Sequence, residues 1–366
     1  MQTTRIAIIG AGLAGLYAAC LLEKKGIRDY LILEAKDLPG GRIASTSTYG
    51  NPGTEAVAGF DLGPTWFWPG FQPEMDRLVQ DLGLVRFEQF ETGELLLERS
   101  PDQPPVRARG YVNSPPSMRL TGGMNALLQA LQQRLEATRI HTGQAVRRLR
   151  LSAPHIELET EDGEGRVSNW RARHVLLAMP PRLAEQQLDF APALPRSLAG
   201  QWRDTATWMA PHAKYIALYD TPFWREQGLS GAAQSAVGPM AEIHDASLPD
   251  GPGALFGFLG IPAHVRKRLS EEELRSHCRN QFTRLFGPRA ATPTAEFIKD
   301  WARDPFTATE ADQAPSGQHP RAPATTADTG PWRKRLTGIA SEWSLEFPGY
   351  LAGAIDAARR GVDDLC

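Results

Sequence analysis

Arg5-Ile6-Ala7-Ile8-Ile9-Gly10-Ala11-Gly12-Leu13-Ala14-Gly15 lies near the start of the 366-residue chain, and its reading decides the fold. The first five residues are a short β-branched run, and the three glycines follow with GxGxxG spacing. Leu16 to Lys25 is rich in Ala and Leu and reads as a helix that Gly26 stops. Tyr30-Leu31-Ile32-Leu33 is a second apolar strand, closed by Glu34. The pattern is strand, glycine turn, helix, strand, acid. Gly10 permits the turn, Gly12 lets the backbone approach a pyrophosphate, and Gly15 lets helix and strand pack closely. The helix N-terminus offers unpaired N–H groups and partial positive charge to phosphates. Glu34 can accept hydrogen bonds from both ribose hydroxyls of an adenosine, and its charge repels a 2′-phosphate. A glycine cluster alone is weak evidence; in this βαβ context it reads as dinucleotide binding, without separating NAD from FAD.

Six residues past Glu34 stands Gly40-Gly41-Arg42. Two glycines and a planar guanidinium at this distance can reach the same pyrophosphate, which an NAD dehydrogenase does not require. The plain alternative is a surface turn with a solvated arginine.

At this point the chain resembles the flavin-containing amine oxidases, which include monoamine and polyamine oxidases. Asp61-Leu62-Gly63 followed by Trp66 resembles the segment that runs beside the flavin ring. Gly122-Gly123-Met124 before the helical run Asn125 to Leu135 is similar to the family's GG-M element. Val146 stands where the family has an adenine-contacting valine, and Val175 to Pro181 resembles the strand that returns to the substrate domain. Ala340-Ser341-Glu342, then Pro348-Gly349-Tyr350-Leu351-Ala352-Gly353, resembles the closing motif, with a helix N-terminus aimed at the flavin N1/O2 edge. The family usually has Gly at position 340, so Ala340 implies a slightly altered phosphate approach.

The resemblance implies an α/β fold, a Rossmann-like FAD-binding domain of the GR2 type with an interleaved α+β substrate domain. Residues 1–70, 117–182 and 334–366 would form the first, and 71–116 with 183–333 the second. Carried over by position, the FAD contacts would be Gly10, Gly12, Leu13, Ala14, Gly15, Glu34, Ala35, Gly41 and Arg42. Gly63, Pro64, Thr65, Trp66, Val146, Glu342, Tyr350 and Leu351 would complete them. Lys214 precedes the strand Tyr215 to Tyr219 and then Pro222-Phe223-Trp224, as does the family lysine that holds a water against flavin N5. A solvated lysine at a strand end is the bland reading.

Tyr350 resembles one wall of the family's aromatic cage, which steers the amine nitrogen and keeps the pocket dry. The other wall lies about ten residues past a tryptophan similar to Trp301; here that position is Ala311. The cysteine that some members use for a covalent flavin bond is replaced by Glu310, which implies non-covalent FAD. Trp66, Trp68, Trp301 and Trp343 are the candidate pocket tryptophans, although a tryptophan is more often core than cage.

Composition sets outer bounds. Forty basic residues against 42 acidic ones give a net charge of −2, no footprint for nucleic acid. Apolar residues at 42% exclude a mainly disordered chain, and the length suits about two domains. Cys20, Cys278 and Cys366 have no metal or disulfide spacing, so no metal site is expected. Ile6 to Leu22 is uncharged and could pass for a leader, but cleavage would discard the glycine motif. The expectation is a cytoplasmic protein without a membrane anchor. Arg266-Lys267-Arg268 before Ser270-Glu271-Glu272-Glu273 reads as a capped, solvated helix start, and Ala308 to Gly330 reads as loop.

The first functional expectation is an FAD-dependent amine oxidase that uses O2, or a redox partner, as acceptor. Two rivals share parts of the pattern. One is a desaturase or protoporphyrinogen-oxidase-like enzyme acting on C–C bonds; the other is a flavin-binding protein without turnover.

Overall fold

The computed structural model describes residues 2–46, 59–314 and 321–365. Alternating burial builds its first layer. In β1 (Gln2–Ile9), Ile6 and Ile8 face one core, while Ala7 and Ile9 face another on the opposite side. A strand buried on both faces must be covered on both, which gives a three-layer α/β arrangement. Helix α1 (Leu13–Lys24) and the last helix, Leu351–Asp363, share one core with Ile6 and Ile8. Trp202, Trp332 and Trp343 fill the other, together with Leu31 and Leu33 of β2 (Tyr30–Leu33).

β1 lies in parallel between β2 and the strand Val167–Leu177. Ile140–His141 extends the sheet beyond β2, and Leu336–Gly338 pairs in parallel with the far end of Val167–Leu177. The antiparallel strands Ala145–Ser152 and His155–Glu161 continue the sheet on the other side. Asp189–Ala191 also joins this sheet beside Ala145–Ser152, so the layer runs past the expected boundary at 182. Four of the five mutually parallel strands therefore end on one edge at Gly10, Glu34, Ala178 and Ala340, and Ile140–His141 ends beside them.

A second sheet has seven strands in the order Ala295–Asp300, Ala213–Tyr219, Gly253–Leu259, Met240–Asp245, Leu229–Ser235, Glu94–Glu98, Val106–Arg109. The helix Glu271–Phe286 covers one face through Leu274, Cys278 and Phe282. Its Ser270–Glu273 capping box is formed as the sequence suggests. Arg266 corrects that reading in part. It is buried, paired with Asp300 at 2.7 Å and bonded to the carbonyls of Ile261 and Pro211. A guanidinium with that many acceptors gains more from the interior than from water.

The turn into α1 rests on close approach. A Cβ on Gly15 would lie 1.9 Å from the Gly10 carbonyl oxygen, and one on Gly10 2.8 Å from that of Ala178. Gly200, in the helix Arg196–Asp204, has nothing within 4 Å of such a Cβ. Gly15→Ala is expected to cost at least about 2 kcal/mol through forced separation of helix and strand. Gly200→Ala is expected to leave stability unchanged or raise it by about 0.5–1 kcal/mol. Thermal melts of the two variants against the parent check both signs.

Candidate active site

The edge where the four parallel strands end opens into a cavity of about 420 Å³. In an open α/β sheet this carboxyl edge is where ligands sit. At one end Leu33, Glu34, Ala35 and Val146 form its wall. Glu34 is buried, and its carboxylate accepts the N–H of Ala11 at 2.6 Å and of Lys36 at 2.9 Å. Burial pushes its pKa up, against the lowering effect of these N–H donors.

In the middle, Gly10, Gly12, Leu13 and Ala14 bring the N-terminus of α1 to the wall, with no side chain capping it. A Cβ on Gly12 would meet nothing closer than 3.6 Å within the protein, so the chain itself leaves that approach open. Gly41 lies against Gly12 at the α1 terminus, and Arg42 lines the same wall. Arg42 is held by a bidentate bond to Glu342 and by the Ser341 hydroxyl at 3.0 Å. Uncapped N–H groups, an open glycine and a fixed guanidinium are the donors a pyrophosphate requires. With Glu34 and Val146 at one end and an aromatic chamber at the other, the residues present fit FAD.

Three expected residues stand off this wall. Gly15 packs helix on strand, as its close contacts show. Glu342, read as an FAD contact, instead lies fully buried behind Arg42 and carries its counter-charge. A carboxylate facing phosphates would repel them; behind the guanidinium it orients it. Trp343, read as a pocket residue, is core: its ring lies 5.4 Å from that of Trp202, and its N–H bonds the Ala324 carbonyl at 3.2 Å. Ala340 lines the cavity with an ordinary negative φ of −70°, so its methyl group carries no backbone strain.

The far end is aromatic, lined by Trp66, Trp68, Trp301 and Tyr350, with Gly63, Pro64, Thr65 and Leu351 beside them. Tyr350 is the N-cap of the last helix, and its ring lies edge-on to Trp68 at 6.2 Å. The Trp301 N–H bonds the Leu62 carbonyl at 3.1 Å, and Trp66 bonds Gln89 at 2.8 Å. Lys214 enters this chamber from the second sheet, buried to 2% exposure. Its ammonium bonds the Thr65 hydroxyl at 2.6 Å and the Gly63 carbonyl at 3.3 Å, and stands 3.9 Å from the Phe256 ring centroid. Desolvation pulls its pKa down to about 7, opposed by the charge of Asp61 and assisted by that of Arg119.

Ala311 and Glu310 lie outside this wall, both exposed on the turn Glu310–Gln313. Asp312 explains their orientation. It is buried, pairs with Arg182 at 2.6 Å and accepts the Thr207 N–H at 2.9 Å, so its neighbours turn outward. Sequence reading missed Trp208, His212, Glu242, Phe258 and Phe306, all in the cavity wall. Alternation in Glu242-Ile243-His244 and Phe256-Gly257-Phe258 was the available signal, but it does not say which face of the sheet meets a cavity. Cys20 and Cys278 are both off the wall, and Cys366 lies outside the described residues. Among the described residues no helix is long and apolar enough to cross a membrane, and no cluster of three metal-ligand side chains occurs.

Fold and cavity together define a dinucleotide-binding protein of the Rossmann-like class with an aromatic chamber at the far end of its site. The flavin containing amine oxidoreductase family matches residues 85–366, and a NAD(P)-binding Rossmann-like domain matches residues 8–82. The chain belongs to the flavin-containing amine oxidoreductase family; it is an FAD-dependent oxidoreductase acting on amines. It is 30% identical to Mycobacterium tuberculosis AofH, named as a flavin-containing monoamine oxidase, over 68% of this chain and 52% of that one. It is 23% identical to putrescine oxidase of Kocuria rosea, over 94% of this chain and 92% of that one. Among solved structures, cyclohexylamine oxidase from Brevibacterium oxydans superposes with a TM-score of 0.79 at 19% identity. That match covers 99% of this chain and 98% of the other, and it shows the common fold.

Arg42→Ala is expected to weaken FAD binding at least tenfold, since one charged donor pair to a phosphate is lost and Glu342 is left buried without its partner. Titration of apoprotein with FAD, read by quenching of flavin fluorescence, checks it.

Proposed function

We propose that the protein oxidises an amine to an imine, which water hydrolyses to a carbonyl compound and ammonia or a smaller amine, and that O2 is the final acceptor. For a primary amine the balance is amine, O2 and water in; aldehyde or ketone, ammonia and H2O2 out. Bound FAD supplies the two-electron relay, taking a hydride equivalent from the carbon beside the nitrogen and passing two electrons to O2. The observation that carries this reading is Lys214, a lysine buried at the aromatic end of the FAD-shaped cavity.

The chain's own groups divide the remaining work. Glu34 and Val146 bind the adenosine end, while the α1 N-terminus and Arg42 hold the pyrophosphate. The N-terminus of the last helix, at Tyr350 and Leu351, favours negative charge at the reacting end. Trp66, Trp68, Trp301 and Tyr350 exclude water and present π faces to the nitrogen, which reacts as the neutral amine. No side-chain base is needed for that hydride step. Lys214 orients a water at the site of O2 reaction, and its positive charge favours electron transfer to oxygen. The cofactor is held without a covalent bond, in keeping with Glu310 facing solvent and with Cys20 and Cys278 lying off the wall. Residues 1–70, 117–182 and 334–366 supply most of the cofactor's contacts; 71–116 and 183–333 supply most of the amine chamber.

Lys214→Met is expected to keep its flavin and its reduction by amine under anaerobic conditions, but to slow reoxidation by O2 by at least tenfold. In the parent, the charge exists below about pH 7 and is lost above it, so the reoxidation rate falls as pH rises through about 7. The variant shows no such step. Stopped-flow reoxidation across pH 6 to 9 decides it, and an unchanged profile in Lys214→Met removes the lysine from the mechanism.

A further inference from the structure

The segment Leu62-Gly63-Pro64-Thr65 reaches the chamber as a pinned turn. The Leu62 N–H bonds the Ala44 carbonyl at 2.8 Å, and the Leu62 carbonyl takes the Trp301 N–H at 3.1 Å. A Cβ on Gly63 would lie 2.1 Å from the Arg42 carbonyl oxygen, so the turn is pressed against Arg42. Pro64 fixes its own φ. Just beyond, Phe67 and Met118 exchange backbone bonds of 3.1 and 2.8 Å. Thr65 is therefore held from both sides along the chain. It is buried on the cavity wall, and its hydroxyl has Lys214 as its hydrogen-bond partner among the described residues.

Lys214 brings an ammonium with three N–H donors to this point. Thr65 accepts one at 2.6 Å and the Gly63 carbonyl another at the longer 3.3 Å, which leaves one for the water assigned to it above. Asp61 is buried nearby, but its Oδ1 accepts the Ser45 hydroxyl at 2.7 Å and the Met124 N–H at 2.8 Å. The charges of Asp61 and Arg119 act on Lys214 in opposite senses. Lys299 pairs with Lys214 in register on the adjacent strand, but its ammonium bonds Asp304 at 3.1 Å. Glu242 lies two strands away, and His212 two residues back along the chain. The closest acceptor for the charge is thus a neutral hydroxyl.

We propose, resting on the role given to Lys214 above, that Thr65 is its positioning residue: the hydroxyl holds the ammonium at one point of the chamber wall and sustains its charge there. A carboxylate in that place would keep the lysine charged far above neutrality. An alkyl group would leave the ammonium with the long bond to Gly63 and the ring of Phe256. A hydroxyl offsets part of the desolvation, so the lysine titrates near neutrality rather than well below it.

The test follows the ε-carbon NMR resonance of Lys214 in the FAD-loaded protein, assigned by its loss in Lys214→Met, as pH is varied through the neutral range. Thr65→Val keeps the shape and removes the hydroxyl; it is expected to lower the midpoint by about one pH unit or more, the scale of one hydrogen bond to a charged group. Thr65→Ser returns the hydroxyl and is expected to restore the parent midpoint. Should Thr65→Val not fold, Thr65→Ala tests the same downward shift. In stopped-flow reoxidation, the pH step of the parent is expected to move down together with the resonance. A midpoint unmoved by loss of the hydroxyl, or a Thr65→Ser midpoint displaced as far as that of Thr65→Val, overturns the proposal. The resonance requires neither amine nor O2. A midpoint that shifts while reoxidation shows no pH step therefore supports Thr65 as the holder of the charge and removes Lys214 from the reaction with oxygen.

Discussion

The ion pair between Arg42 and Glu342 joins segments 300 residues apart in sequence, and the cavity lies along the seam they close. Glu342 has no exposure at all. An unpaired carboxylate there would be intolerable, and breaking a buried pair typically costs about 3–5 kcal/mol. The guanidinium is the less buried member, with a quarter of its side chain still exposed on the cavity side. Three of its hydrogen bonds go to Glu342 and Ser341, which fixes its plane. The pair thus sets how the last segment docks and where a positive fork points. The N–H of Trp208 reaches the same carboxylate at 3.4 Å, which ties the approach to the second sheet to that docking.

A second buried charge is managed differently. Lys214 has no carboxylate within ion-pair distance among the described residues; its acceptors are a hydroxyl, a carbonyl and the face of Phe256. These satisfy an ammonium's donors but return less than a full counter-charge, so desolvation prevails and the pKa falls. An unfolded lysine keeps its proton up to about 10.5, so stability contributed by this site rises with pH between about 7 and 10.5. A fold held together by such a group would be poorly built. A fold that carries one at a cavity wall has retained a titratable cation near neutrality where chemistry can use it.

The sequence was most legible where local geometry and ligand chemistry coincide. Gly10 and Gly12 combine a tight turn with a place on the cavity wall, and Gly15 the close packing of helix on strand, so the spacing itself carries the information, and the helix and strand around it lie close to the expected bounds. Lys214 was legible through its neighbours in the chain. Glu342 was placed at the right spot with the wrong partner, because a carboxylate beside a phosphate site and one behind an arginine look alike in one dimension. Trp343 was misread because burial in a core and burial in a pocket favour the same side chain. Glu242 and Phe258 were illegible for a topological reason: their strands are neighbours in space, in register, but 16 positions apart in sequence.

The two ends of the cavity demand opposite chemistry, and this accounts for the interleaved chain. A phosphate end needs helix N-termini and guanidinium, which a parallel sheet delivers at its carboxyl edge. The aromatic end needs π faces and an apolar wall, which the largely antiparallel second sheet supplies through alternate residues such as Phe256, Phe258 and Lys214. Neither sheet alone could line both. The last helix bridges them: Ala354 and Ile355 are buried on α1's side of the first core, while Tyr350 at its N-cap forms part of the chamber wall. Its first turn is where the charge-binding and the aromatic surfaces meet. Any change that tilts this helix must therefore alter both ends at once, whereas a change on the second sheet touches only the aromatic end.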